Sequence, residues 1–178
     1  MKYFDELKRT MVMLSQHEKT IFVGQSVRYG GTGLFDTLID VPDKKKIEFP
    51  VAEALQMGMT NGLALSGYIP ISIFVRWNFL LLGTDQLVNH LDKIPIVSNN
   101  GFTPKVIIRV SVGSEKPVHP QEQHVGNFSD GFRKMLSTIE VIELTEPEEI
   151  YPSYEFALNR TDGRSTILVE FADYCKEK

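Results

Sequence analysis

The sequence predicts an α/β protein built as one doubly wound, mostly parallel sheet with helices on both faces. Short apolar segments alternate with segments of helical periodicity along the chain. The apolar segments are hydrophobic on both sides, as strands are when helices cover both faces of a parallel sheet. No repeat, low-complexity tract or linker divides the 178 residues, so we expect one domain over residues 1–178.

Each element follows from a local pattern. Phe4, Leu7, Met11 and Leu14 recur at helical spacing and predict an amphipathic helix over 3–16. Apolar and β-branched runs, and their Gly and Pro boundaries, place the other elements. Strands are predicted at 20–24, 47–49, 68–77, 105–113, 139–144 and 165–171. Helices are predicted at 34–39, 50–66 (with Pro50 in its first turn), 79–94, 127–137 and 146–160.

Composition excludes several classes of function. The net charge of −4 argues against a general nucleic-acid binder, which would present a basic surface. The longest apolar run, "YIPISIFV", is too short to span a membrane. The first ten residues carry mixed charge and predict no secretory signal. A single cysteine, Cys175, fits a reducing compartment, so we expect a cytoplasmic protein.

Two short motifs suggest ligands only weakly. "GGTGLF" (30–35) lacks the Lys-Ser/Thr ending of a P-loop and the third glycine of a dinucleotide fingerprint, which favours a mobile loop. "HPQEQH" places His119, Glu122 and His124 close together, but the spacing is not a standard zinc pattern. We therefore predict no metal site, and favour one histidine that faces a pocket.

The predicted helix over 50–66 is almost free of charge except for Glu53. An acid in a first helical turn interacts well with the helix dipole and can cap free N–H groups. The alternative is a carboxyl group that is paired inside a dry site. The same helix carries a stripe of small residues at a spacing of four, which predicts close approach by another helix or backbone. These are Ala54, Gly58, Gly62 and Ser66.

An aromatic turn, Trp77-Asn78-Phe79, follows the strand predicted at 68–77. Ligands of open α/β sheets bind outside the carboxyl ends of the strands. The rings could therefore stack on a planar ligand, or they could pack in the core.

Together, these features resemble the pyrimidine-binding domain of thiamine diphosphate enzymes, in particular the beta subunits of 2-oxo acid dehydrogenase decarboxylating components. The resemblance rests on the run from 49 to 90, with Glu53, Gly58, Gly62, Gly67, Trp77-Asn78-Phe79 and Asp85-Gln86-Leu87-Val88-Asn89. It implies that Glu53 shares a proton with the aminopyrimidine ring of thiamine diphosphate. It also implies that Phe79 packs on that ring, with Asn78 and Trp77 as further cofactor contacts, and that His124 acts on the substrate side.

Some positions depart from the family pattern. Gln25 in "GQSV" stands where the family usually carries an acid, and "RVS" replaces the usual "RGP". "HVGNF" is similar to the transketolase pattern, so the substrate stays open between a 2-oxo acid and a ketose phosphate. The Gly-Asp-Gly…Asn motif that binds diphosphate through Mg²⁺ is not found in the sequence. The resemblance therefore implies an alpha-type partner chain that holds Mg²⁺ and the diphosphate, with a homodimer alone and a heterotetramer in the complex.

The resulting hypothesis is the pyrimidine-binding subunit of a split enzyme that makes or breaks a C–C bond next to a carbonyl group. One alternative is a non-catalytic orphan domain used for assembly or regulation. The loss of an acid at Gln25 favours this alternative, and the presence of Glu53 and Phe79 opposes it. A nucleotide-binding α/β domain is the second alternative, which the incomplete phosphate loop opposes.

Overall fold

A computed structural model describes residues 2–177. Six strands form one parallel sheet: β1 (Thr20–Gly24), β2 (Lys46–Glu48), β3 (Ile69–Phe74), β4 (Ile107–Val112), β5 (Glu140–Glu143) and β6 (Thr166–Phe171). The helices are α1 (Tyr3–Gln16), α2 (Gly33–Asp36), α3 (Glu53–Leu65), α4 (Trp77–Leu80), α5 (Ile94–Val97), α6 (Ser129–Met135), α7 (Pro147–Asn159) and α8 (Tyr174–Glu177). Short 3₁₀ turns cover Asp43–Lys45, Leu81–Gly83 and Glu122–His124, and Gln86–Leu91 forms a π-helix.

The strand order is β2-β1-β3-β4-β6-β5. The chain leaves β1 towards one edge to form β2 and then crosses back to form β3 on the other side of β1. This reversal is a topological switch point, and in open α/β sheets the crevice at its carboxyl end is the usual ligand site. The segments that follow β1 and β3 are therefore the first place to look for function.

Two hydrophobic cores lie on opposite faces of the sheet. On one face, which we call the α1 face, α1 and α7 pack over Phe22, Ile71 and Leu168. On the other, the α3 face, Met57 of α3 and Trp77 of α4 pack over strand residues such as Ile108. Helices on both faces of an all-parallel sheet confirm the predicted doubly wound α/β class.

Three predicted boundaries were wrong. Pro50 lies outside α3, because the backbone of Ala52 is not helical and the helix begins at Glu53. The strand predicted to reach residue 77 ends at Phe74, and Trp77 opens α4. The helix predicted over 79–94 is divided, because Gly83 passes so close to α3 that a Cβ there would lie 2.8 Å from Met57 Cγ. The predicted helix over 3–16 is confirmed.

Within residues 2–177, no helix is both long enough and apolar enough to cross a lipid bilayer.

Candidate active site

Glu53 is the first residue of α3 and only 4% exposed. The positive end of the helix dipole favours a carboxylate at this position. Its side chain makes no capping bond to a backbone N–H of the described residues. Instead, Gln25 Nε2 donates to Glu53 Oε1 at 3.1 Å. Glu53 Oε2 accepts no hydrogen bond from residues 2–177, so half of this buried carboxyl group is uncommitted.

The turn that carries Gln25 is held by a second acid, Glu48, at the end of β2. Its carboxylate accepts from the backbone N–H groups of Ser26 at 2.6 Å, Val27 at 2.9 Å and Arg28 at 2.7 Å. Ser26 is in the left-handed region, with φ of 57°. Charge-assisted bonds to three successive amides stabilise this turn and hence the direction of the Gln25 side chain. Glu48 could not be identified from the sequence, because its role depends on the pairing of β2 beside β1.

Gln56, one turn after Glu53, fixes α3 against the strands at the switch point. Its Nε2 donates to Ile73 O at 3.0 Å and to Ser72 Oγ at 3.2 Å. Its Oε1 is buried without a hydrogen-bond partner in the described part of the chain. Beside it, a Cβ at Gly24 would stand 2.4 Å from Ile73 O, so only glycine permits this approach of β1 to β3.

Phe79 and His124, far apart in sequence, meet beyond the carboxyl end of β3. Their ring centroids are 5.8 Å apart and the planes are at 81°. Neighbouring Asn78 has a buried Oδ1 that no group in residues 2–177 hydrogen-bonds. Both Phe79 and Asn78 are half-buried, which leaves part of each for a ligand. The 3₁₀ turn that follows Phe79 packs on the first turn of α3, near Glu53 O.

His124 is held in place from both sides. Arg76 Nη1 donates to His124 O at 2.9 Å and also to Gly113 O, which ties the loop after β4 to the end of β3. His124 Nδ1 lies 3.1 Å from Pro120 O. Since a carbonyl oxygen only accepts, Nδ1 carries the proton in this contact, and Nε2 is left to exchange protons with a ligand. Arg76 was not predicted, because its role arises from this tertiary contact.

Trp77 lies elsewhere. It is fully buried, stacks on Phe132 with centroids 4.9 Å apart, and meets Phe128 edge-on. Both observations place its ring in the core of the α3 face, so we leave Trp77 out of the candidate site. The histidine motif is also dispersed, since His119 pairs with Glu115 at 3.5 Å. Among residues 2–177, no group of three or more His, Cys, Asp or Glu side chains is arranged to hold a metal ion.

The fold is similar to that of solved transketolases. A transketolase from Campylobacter jejuni superposes with a TM-score of 0.73 at 14% identity, over 95% of this chain and 25% of that one. A split-gene transketolase described as an inactive beta4 tetramer gives a TM-score of 0.64 at 16% identity, over 96% and 51% of the two chains. At these identities the likeness establishes the fold.

Curated relatives show a more specific similarity in sequence. The beta subunit of the pyruvate dehydrogenase E1 component from Gracilaria tenuistipitata is 30% identical over 110 residues, 60% of this chain and 34% of that protein. The 2-oxoisovalerate dehydrogenase beta subunit of Bacillus subtilis is 26% identical over 120 residues, 64% of this chain and 36% of that protein. No protein-family model matches the chain. The predicted resemblance to these beta subunits is confirmed, although the match spans only about a third of their length.

Proposed function

We propose that residues 1–178 form a pyrimidine-binding domain that works in a thiamine diphosphate-dependent enzyme of the transketolase or 2-oxo acid dehydrogenase type. The observation that carries the proposal is Glu53, a buried acid at the switch point with one oxygen committed to Gln25 and the other uncommitted. The similarity to beta subunits of two 2-oxo acid dehydrogenases supports the class. A fold neighbour from Mycobacterium smegmatis described as a putative thiamin diphosphate-dependent enzyme supports it as well, with a TM-score of 0.67.

The residues present fit an aminopyrimidine ring. Such a ring needs a carboxyl group that shares a proton with a ring nitrogen, and Glu53 Oε2 is available for this bond. It also needs a flat apolar partner, which Phe79 supplies, and a polar group for its exocyclic nitrogen, for which the unpartnered Oδ1 of Asn78 is suited. When bound, the cofactor supplies a nucleophilic carbon and an electron sink for making or breaking a bond next to a carbonyl group.

The chain's own residues would then divide the work. Glu53 holds a proton at Oε2, and its burial keeps water from competing for that bond. Gln25 fixes the other oxygen and, being neutral, adds no repelling charge. His124 stands on the substrate side, where a neutral imidazole with a free Nε2 can accept a proton from the substrate.

The diphosphate and Mg²⁺ are proposed to be held by an alpha-type partner chain. The names of the relatives, which are beta subunits, and the split-gene transketolase among the fold neighbours support a divided enzyme. The exposed side of α3 offers an uncharged contact surface with Leu55 61% exposed and open space beside Gly62. We propose a homodimer for the chain alone and a heterotetramer with its partner, acting on a 2-oxo acid or a ketose phosphate.

The test is to purify the chain with and without the product of the neighbouring reading frame, and to titrate thiamine diphosphate in the presence of Mg²⁺. We expect tight binding only by the pair, and loss of turnover in Glu53→Gln. Glu155→Gln, an exposed acid on α7, is the matched control and should leave turnover unchanged. A pair that assembles but binds no cofactor would instead support the orphan assembly domain.

A further inference from the structure

A cavity lies on the α1 face, and Glu53 does not line it. It has a volume of about 480 Å³ and opens at the carboxyl ends of β3, β4 and β6, beneath the loop that leads into α2. This volume is within the range of small-molecule sites, roughly 300–1,000 Å³. Apolar side chains line part of it: Phe4, Leu7, Leu34 and Val75. Glu53, Asn78 and Phe79 do not line this cavity; Arg76, which also holds His124, does.

The polar floor of the cavity is internally neutralised. Arg109 and Glu170 form a buried bidentate pair, with Nε–Oε1 at 2.6 Å and Nη2–Oε2 at 2.8 Å. Thr37 Oγ1 accepts from Arg109 Nη1 at 2.9 Å. Burial raises the pKa of the Cys175 thiol to about 11, with Glu170 adding to the shift, so the thiol carries no charge near neutrality. The floor therefore offers dipoles without a net charge.

Arg76 is the charged group in the wall that forms no ion pair within residues 2–177. Both of its hydrogen bonds use Nη1 and go to neutral carbonyl oxygens, while Nε and Nη2 make none to residues 2–177. No carboxylate of the described residues lies within ion-pair distance of it. Burial lowers its pKa, partly opposed by Asp173, because the charged form has lost water. The other charges at the cavity, Asp36 and Lys176, are exposed and of opposite sign.

We propose that this cavity binds a small monocarboxylic acid with an apolar tail. Arg76 pairs with the carboxylate through its Nε and Nη2, a planar fork that matches the two carboxylate oxygens. Phe4, Leu7 and Val75 receive the tail. A single guanidinium beside an apolar wall suits one carboxylate better than a phosphate, which would require several cations.

Binding is tested with 3-phenylpropanoate and its neutral isostere 3-phenylpropanamide, titrated calorimetrically into the purified chain. The acid should bind at least about tenfold more tightly than the amide, the difference that about 1.4 kcal/mol produces. Arg76→Met should abolish this preference for the acid. Equal affinity for the two probes would overturn the proposal, as would no binding of the acid at about 10 mM.

A blocking variant locates the binding. Gly33 lines the cavity, and a Cβ there would meet no atom within 4 Å, so Gly33→Leu adds a bulky apolar side chain at the cavity wall without a backbone clash. Gly131 in α6 is equally open but lies outside the cavity, which makes Gly131→Leu the matched control. The acid should lose at least about tenfold in affinity in Gly33→Leu and nothing in Gly131→Leu. Undiminished binding in Gly33→Leu contradicts the proposed location.

Discussion

The two faces of the sheet differ in whether their buried polar groups have hydrogen-bond partners. On the α1 face, Arg109 and Glu170 neutralise each other, and Tyr154 donates to Glu170 at 2.6 Å. On the α3 face, buried atoms of Gln56, Asn61, Trp77 and Asn78 have no partner in the described chain. Thr10 in α1 is the exception on the other side.

This difference separates stabilising groups from candidate functional ones. A buried polar atom without a hydrogen bond costs free energy, so such atoms are rare unless they have a use. Their concentration around α3 and α4 coincides with the switch point and with Glu53. The paired charges of Arg109 and Glu170 on the α1 face favour a structural role for these two residues.

The largest expected effect comes from breaking the pair on the α1 face. Glu170→Ala leaves the Arg109 guanidinium buried and unpaired, so we expect the free energy of unfolding to fall by about 3–5 kcal/mol. Chemical denaturation measures this. Combining Arg109→Met with Glu170→Leu should recover most of the loss, because neither charge then remains. A loss below about 1 kcal/mol in Glu170→Ala would contradict a structural role.

Glu53→Gln should lower turnover strongly and the free energy of unfolding little, the reverse of Glu170→Ala. Turnover of the complex with its partner should fall by about 10²–10⁴-fold, since a neutral amide cannot exchange the proton. The free energy of unfolding should fall by less than about 1 kcal/mol, because the side chain of Glu53 accepts a single hydrogen bond within residues 2–177. Turnover assays and chemical denaturation of Glu53→Gln measure these two effects. If Glu53→Gln destabilises the fold as strongly as Glu170→Ala, the contrast between the faces is lost.

Glu48→Gln tests whether the turn at Gln25 is preorganised. A neutral amide cannot reproduce charge-assisted bonds to three backbone N–H groups, so we expect a loss of about 1.5–3 kcal/mol in stability. Cofactor affinity of the pair should also weaken, because Gln25 would no longer be aimed at Glu53. Gln25→Ala is the comparison for Glu48→Gln. It should weaken cofactor binding without lowering the free energy of unfolding. Equal stability of Glu48→Gln and the parent chain would exclude this role.

The smallest effect is expected at Asp162, at the amino-terminal edge of the sheet and remote from both sites. Its hydrogen bonds from Arg160 hold the pKa of Asp162 at about 2. A lowered folded-state pKa means that the stabilisation is present above about pH 4 and is lost as the pH falls towards 2. Asp162 is half-exposed, so we expect less than about 1 kcal/mol. Thermal unfolding of Asp162→Asn from pH 6 to 2 measures this contribution. If the pH dependence is the same as that of the parent chain, the expected contribution of Asp162 is refuted.

Much of the fold could be predicted because its signals are local. Apolar β-branched runs identified the strands, and the spacing from Phe4 to Leu14 identified α1. The divided segment after Phe79 could not be predicted, since what interrupts it is the contact of Gly83 with Met57, which only the tertiary structure supplies. Trp77 likewise allowed both a ligand contact and core packing until Phe132 was seen beside it.

The site was predictable to the same degree. Glu53 could be singled out because an acid in an otherwise apolar helix conflicts with burial unless it has a partner. The partners themselves, Gln25, Glu48 and Arg76, carry no such conflict in the sequence. Their roles follow from which strands lie side by side, so sequence patterns of helix and strand do not contain them.

The π-helix at Gln86–Leu91 has a consequence for length variation in this chain. Its wide turn closes with Asp92 N bonded to Leu87 O at 2.9 Å, five residues apart, so it holds one residue more than an α-helical turn would. Asp92 in turn accepts from the amides of Ser137 and Thr138. A one-residue deletion at Val88 would convert the segment to an α-helix while both anchored ends keep their places. This segment, which packs beside α3 through Leu87 and Leu91, is therefore a position where the protein can change length without changing its topology.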